Sequence, residues 1–556
     1  MPPQSEAALV EIYDTTLRDG SQREGISYTL DDKIRIAEKL DEFGVSFIEG
    51  GWPGSNPKDA EFFARARDTG WKHALITAFG STRRQSLGAD QDPSMRALIE
   101  SGTKVCTIFG KSWTLHVTEV LRATLEDNLR MIEESVAYLV SEGRRVIYDA
   151  EHFFDGYRAD AGYAVETLRA AIRGGAETVV LCDTNGGNLP WLIEEVVRDV
   201  VAKVQHRVGI HAHDDTGCGV ANSVAAVKGG ALHVQGTING YGERCGNANL
   251  CVIVPNLELK LDRRCVLPGR LAELSELSRF VAEVANLAPD AHMAYVGKSA
   301  FAHKGGVHVA AMRRNGDSYQ HIDPALVGNT MRVVVSELSG RGNLLHKAEE
   351  LGLDVAGAEV EALQQIKEAE ARGMSYDSAE ASVALLLLRK AKDYQPLFEV
   401  TEYQVQVGRR KNSETVAEAV VKLKVGDTTL HTAAEGTGPV SALDSALRKA
   451  LSPVYPALSS IHLADYKVRI LDGNDGTEAT TRVLIDSHDG HHTWSTVGAS
   501  PNIIEASLDA LVDAIEYGLI QGGSKLDEAA LSRSHERTSD RPPAPPKRKP
   551  TPGAAI

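Results

Sequence analysis

The sequence predicts an α/β protein: a (β/α)8 TIM barrel, then a helical linker or lid region, then a C-terminal α+β domain built from two similar βα repeats. Three observations carry this. Eight short β-branched or apolar runs alternate with amphipathic stretches between residues 9 and 270, matching such a barrel in count and size. Polar residues scattered in sequence recur just past those runs, where barrel active sites collect. The third is an internal repeat at an offset of 64, with Val420 against Leu484, Gly426 against Gly490, Thr432 against Thr496 and Ala446 against Ala510.

The eight predicted strands are Leu9–Tyr13, Val45–Glu49, His73–Phe79, Lys104–Phe109, Arg145–Asp149, Thr178–Cys182, Arg207–Ala212 and Leu232–Ile238. Between them, Leu30–Phe43, Leu121–Ser141 and Leu189–Val204 place apolar residues at helical spacing. The catalytic barrel is therefore set at 9–270. Residues 271–395 read as helices (Leu271–Ala288, Val360–Ala371, Asp377–Lys392) interrupted by Phe301–His308, a segment suited to covering a site. Residues 396–522 hold the repeat, each unit reading as strands, a glycine turn and a helix. From 523 to 556 the Ser-, Arg- and Pro-rich composition cannot bury enough apolar surface to fold, and disorder is expected.

At 556 residues the chain has room for several cores, and 42% hydrophobic with 24% charged residues is ordinary for a globular protein. A net charge of −16 argues against a general nucleic-acid binder, whose footprint is basic. No apolar run approaches the roughly 18 residues of a membrane span, and the first residues carry no signal-peptide core. Six cysteines without a Cys-x-x-Cys pair suggest a reducing, cytoplasmic setting.

Chemistry gathers at the strand ends. Asp14, Arg18 and Asp19 follow the first run, Glu49 ends the second, Glu151 follows the fifth, and Asp183 and Thr184 follow the sixth. His211 and His213, two apart on a strand, face the same way, as two ligands of one metal must. Imidazole suits a borderline divalent ion, and Asp19 adds a hard, charge-compensating oxygen. Asn239–Asn247 follows the eighth run.

Three segments, DTTLRDGSQREG at 14–25, GIHAHDDTGCGVAN at 209–222 and NGYGERCGN at 239–247, resemble the signatures of the α-isopropylmalate, homocitrate and citramalate synthases, metal-dependent barrels named for an Asp-Arg-Glu triad. The repeat region resembles their amino-acid-sensing regulatory domain, and Glu49–Lys58 with Phe301–His308 look most like the citramalate-forming branch. The resemblance implies an acyltransferase that joins acetyl-CoA to an α-keto acid, here pyruvate, on the route to isoleucine. It implies one divalent ion per subunit (Zn, Mn or Mg) held by Asp19, His211, His213 and Asn247. Arg18, Glu151, His308 and Tyr319 are then catalytic, with Glu151 fixing Arg18 or moving protons. Arg18, Thr184 and Gln22 contact substrate. The loop at Gly242, Glu243 and Gly246 passes the acetyl-CoA arm, and Gly436, Gly438, Gly498 and Pro501 bind the effector, isoleucine. A homodimer is implied, with the post-barrel segment crossing to the other subunit. The chain departs from the pattern at Val309-Ala310, where relatives carry Gln-Asp after the histidine, so another group, such as Tyr319, must orient His308.

Phe79, Phe109 and Tyr148 are expected to fill a pocket small enough for pyruvate. Other readings remain at this stage: a 2-isopropylmalate synthase, an aldol-type lyase or carboxyl-transfer barrel sharing the motifs, and a catalytically silent amino-acid-binding regulator.

Overall fold

A computed structural model describes residues 7–312, 314–337, 339–350, 359–391, 394–409, 415–471, 473–524, 526–527 and 531. The first compact unit comprises the described residues up to Phe301 together with Ile322–Met331. It is a closed parallel barrel of β1 (Glu11–Asp14), β2 (Phe47–Gly51), β3 (Leu75–Ser81), β4 (Val105–Lys111), β5 (Arg145–Glu151), β6 (Thr178–Asp183), β7 (Val208–Ala212) and β8 (His233–Gly236). β8 closes on β1 with Asp14 opposite Gly236. A layer of Tyr13, Phe47, Val105, Ile147, Val180 and Cys182 fills the barrel interior. Side chains on the opposite strand faces, such as Ile12, Ile48 and Val179, join the larger core with the surrounding helices.

Six of the strands run one or two residues past the predicted ends, through Asp14, Gly51, Ser81, Lys111, Glu151 and Asp183. The ladder is made by backbone groups, so a polar side chain does not stop it. The helix Leu30–Phe43 lies where expected. A Thr29–Asp32 capping box starts it, Ile34, Ile36 and Leu40 are buried along it, and Gly44 ends it with φ 90°. A π-helical turn at His116–Leu121, absent from the sequence reading, precedes the helix Leu125–Ser141. Among the described residues no helix is long and apolar enough to cross a membrane.

The second unit takes Ala302–His321 and the described chain from Arg332 onward. β9 (Ala302–His303) pairs with β10 (Arg332–Val333) beside a small core of Leu344, Ile366, Tyr376, Val383 and Leu387. Two antiparallel sheets follow, β11 (Glu399–Arg409), β12 (Thr415–Val425) and β13 (Thr428–Gly436), then β14 (His462–Ile470), β15 (Thr481–His488) and β16 (Thr493–Ser500). Each sheet is followed by a helix, Pro439–Leu451 or Ile503–Gln521. The repeat survives at the level of single bonds: Thr432 Oγ1 donates to the Ala446 carbonyl at 2.8 Å, and Thr496 Oγ1 to the Ala510 carbonyl at 2.8 Å. The expected disorder of the tail concerns residues that, from 532 on, lie outside those described.

Candidate active site

The turn after β1 carries Arg18 and Asp19 into the barrel mouth. Asp19, His211 and His213 bring one ligand atom each to within 4.8 Å of one another, all three buried. His211 Nε2 lies 3.3 Å from His213 Nε2 and 3.4 Å from Asp19 Oδ2. Gln235, opposite His211 on β8, fixes the imidazole: its Oε1 is 2.8 Å from His211 Nδ1, and its Nε2 donates to Asp149 Oδ1 at 2.9 Å. With Nδ1–H donated to Gln235, Nε2 is the ring nitrogen left facing the cluster, where it can serve as a metal ligand once its proton is lost.

Burial pushes the Asp19 carboxyl up, but Arg18 and the two imidazoles outweigh it and hold it well below the usual range. Burial and the neighbouring His211 lower His213 to about 4, so it is neutral at physiological pH. Burial also depresses His211, yet the Asp19 hydrogen bond and charge raise it overall. Asn247 pairs with His213 through an antiparallel bridge. Its Nδ2 donates to the Tyr241 carbonyl at 3.2 Å, while its Oδ1 is buried without a partner among the described residues. A charged carboxylate, two imidazoles and an orphaned amide oxygen fit a divalent ion. The loop that presents Asn247 depends on two glycines: a Cβ on Gly242 (φ 155°) would fall 2.1 Å from Asn247 Nδ2, and one on Gly246 (φ 106°) 2.0 Å from the Gly240 carbonyl oxygen.

Arg18 is anchored differently from the sequence reading. Its Nε donates to Glu49, not Glu151, and its Nη1 sits 3.3 Å from Asp19 Oδ2. Glu49, fully buried, also accepts from Thr15 Oγ1 at 2.7 Å and from the Tyr13 hydroxyl. Glu151 instead pairs with Lys111. β1 and β2 are neighbours, so an acid on β2 reaches Arg18, whereas β5 lies across the barrel. The guanidinium Cζ rests 3.9 Å from the Phe79 ring centroid, and Phe79 stacks on Phe109 at 5.6 Å with Trp52 edge-on to both.

A cavity of 210 Å3 is lined by Arg18, Asp19, Gln22, Glu151, Thr184 and the two histidines, with Trp52, Phe79, Phe109, Asp149, Cys182, Glu243 and Arg244 completing it. Phe79 and Phe109 are thus pocket walls. Tyr148 is not: it is fully buried in the core outside the barrel, because Asp149 takes the inward face and strand alternation turns its neighbour away. Thr184 Oγ1 accepts the His152 N–H at 2.9 Å, which leaves its own hydroxyl proton for a ligand. Arg244, unremarked in the sequence, is held by Asp215 and donates to the Thr184 carbonyl at 2.8 Å.

His308 and Tyr319 belong to the second unit, where their rings stack at 4.3 Å. Gly436 ends β13 and Gly438 precedes the following helix. Gly498 lets β16 approach its helix, since a Cβ there would lie 2.0 Å from the Ala506 carbonyl oxygen, and Pro501 is exposed.

Asp149 is buried against the same cavity, and burial and the Glu49 charge push its carboxyl up to about 7 against the opposing pull of His211. A raised carboxyl holds its proton in the folded state at pH values where the unfolded chain has lost it. Its contribution is therefore complete below the unfolded value near 4 and becomes a penalty as pH rises towards 7. In metal-free protein, Asp149→Asn is expected to flatten the fall in stability between pH 5 and 7.5 and to gain about 1–4 kcal/mol at pH 8. Denaturant titrations across that range measure it, and a variant that loses stability at pH 8 refutes the assignment.

Residues 9–281 match the HMGL-like family model, 295–373 the homocitrate synthase post-HMGL domain-like model, and 377–519 the LeuA allosteric (dimerisation) domain. An (R)-citramalate synthase from Geobacter sulfurreducens is 51% identical over 527 residues, covering 93% of this chain and 100% of that protein. Another, from Synechocystis, is 52% identical over 523 residues, 91% of this chain and 96% of its own. A 2-isopropylmalate synthase from Lysinibacillus sphaericus is 30% identical over 519 residues, 92% and 98% of the two chains. Likeness this extensive, running through the barrel, the post-barrel segment and the C-terminal repeat, means that the chain belongs to the (R)-citramalate synthase family.

Proposed function

We propose that the chain condenses acetyl-CoA with pyruvate and hydrolyses the thioester, giving (R)-citramalate and CoA. The observation that carries this is the 51–52% identity to (R)-citramalate synthases over more than nine-tenths of the chain, against 30% to a 2-isopropylmalate synthase. A 210 Å3 cavity walled by Phe79, Phe109 and Trp52 suits a keto acid bearing only a methyl group.

In the reaction a proton leaves the acetyl methyl, the resulting carbon attacks the keto carbon, and the keto oxygen ends as a hydroxyl. Water then splits the thioester, releasing CoA and a second carboxylate. A divalent ion held by Asp19, His211, His213 and Asn247, with zinc, manganese or magnesium all compatible, would polarise the keto carbonyl and neutralise charge growing on its oxygen. Arg18, fixed by Glu49 and flattened on Phe79, offers charge-assisted donors to that oxygen or to the enolate. The free hydroxyl proton of Thr184 is available to the pyruvate carboxylate, and Gln22 lines the same cavity. We assign proton abstraction from the methyl to His308, with Tyr319 stacked on its ring to orient it. Two copies of the chain would associate through the C-terminal domain, and isoleucine would be the effector bound near Gly436, Gly438, Gly498 and Pro501.

The test is CoA release with added divalent metal and pyruvate, 2-oxoisovalerate or 2-oxoglutarate. Selectivity for pyruvate of about tenfold or more is expected, since two carbons in an apolar pocket are worth about 2 kcal/mol or more. Equal or faster turnover of 2-oxoisovalerate refutes it.

A further inference from the structure

Within the second unit, a cavity of 900 Å3 lies between β11, the helix Glu380–Leu388 and the helix Ile503–Gln521. Its walls mix aromatic rings with charged groups, six of them carboxylates and only two cations. Part of that negative charge is already answered. Arg389 donates to Asp513 Oδ1 and to Glu516 Oε2, both at 2.7 Å, and Glu402 pairs with Lys422. Lys390 is turned to Glu361, outside the cavity. The rest is not answered: Asp509, Glu505 and Glu399 have no basic partner among the described residues. Partial burial and the charges of Glu505 and Asp513 push the Asp509 carboxyl up to about 6, the mark of a negative field that an incoming cation relieves. A separate observation points to a ligand. Tyr376 is only 6% exposed, lines the cavity, and its hydroxyl has no partner among the described residues. Tyr403, an exposed ring on β11, lines it as well.

An aromatic, acidic groove with a spare hydroxyl donor suits a basic, proline-rich segment. Such segments favour the extended PPII helix and lay their rings against aromatic side chains. Proline has no N–H, so the segment asks its site for donors rather than acceptors. This chain carries a segment of that kind. Arg541-Pro-Pro-Ala-Pro-Pro-Lys-Arg-Lys549 has four cations and no acid, and it lies beyond the match to the C-terminal domain, which stops at 519. The last described residue, Leu531, packs on the same core as Phe398 and Leu508, both of which line the cavity. From Leu531 to Pro543 is twelve residues, a reach of up to about 40 Å, enough to cross a small domain. We propose that residues 541–549 dock in this cavity of their own chain. The prolines would lie against Tyr403, a carbonyl would accept from the Tyr376 hydroxyl, and Lys547, Arg548 and Lys549 would sit beside Asp509 and Glu505.

The experiment compares the full wild-type chain with a full-length tail variant, Lys547→Glu/Arg548→Glu/Lys549→Glu, using a fluorescent peptide of residues 538–550 as the probe. A tethered segment competes at an effective concentration of about 1 mM, so a peptide that binds at about 100 µM is expected to bind the tail variant about tenfold more tightly than the wild-type chain. Adding Asp509→Asn and Glu505→Gln to the tail variant should weaken the peptide about fivefold, as should salt at about 0.5 M. Tm should hold, since neither side chain has a cation partner to lose. Amide exchange along β11 should be slower in the wild-type chain than in the tail variant. Equal peptide affinity for the two chains overturns the proposal, as does no binding to the tail variant at about 1 mM peptide. Binding that the cavity substitutions and salt leave unchanged overturns it as well. If the tenfold difference vanishes when the wild-type chain is diluted, the competing tail comes from a second copy, and docking within one chain falls.

Discussion

Alanine at His213 is expected to lower kcat/KM for the condensation by at least about 10³-fold, since a Lewis acid at the keto oxygen is worth several kcal/mol. Bound metal, measured per subunit after dialysis, should fall in step. His213 is the imidazole that burial keeps neutral, so replacing it removes a ligand without stranding a charge, and Tm of the metal-free protein should move little. Asp19→Ala should cost as much activity, but it also leaves Arg18 with one carboxylate partner fewer. Gln235→Leu should be milder, about 10–100-fold in metal affinity, because it releases the His211 ring without removing a ligand. Full metal occupancy in His213→Ala, with activity lost all the same, would falsify the ligand assignment.

The second large effect concerns Arg18 and Glu49. Arg18→Met alone strands the buried Glu49 carboxylate, which typically costs about 3–5 kcal/mol, whereas Glu49→Gln leaves Arg18 paired with Asp19 and should cost less. Arg18→Met should also abolish a donor to the reacting oxygen, about 10²–10³-fold in kcat. The double variant Arg18→Met/Glu49→Gln separates the two roles: most of the stability should return and the activity should not. Chemical denaturation and steady-state kinetics on the four proteins close that cycle. If the double variant is as unstable as Arg18→Met alone, the pair is not a coupled unit.

Much of this site was legible in the sequence because a barrel converts strand order into geometry. His211 and His213 converge because strand side chains alternate, and Asp19 joins them from the turn after β1. Resemblance offered Glu151 either to fix Arg18 or to move protons; the first role falls to Glu49, which strand adjacency favours, with Asp14 in register with Ile48 on the next strand. Gln235 was equally accessible: it sits opposite His211 on a neighbouring strand, and a polar side chain inside a barrel needs a reason. Tyr148 was misplaced by one step of the alternation.

The paired threonine bonds of the C-terminal domain make its two halves mechanically alike. The same side-chain bond recurs at equivalent positions 64 residues apart, so the two halves share one device for joining sheet to helix. Each copy keeps its strand pinned to its helix by its own local bond. Because each bond is local, a substitution that breaks one leaves the strand–helix contact of the other half intact.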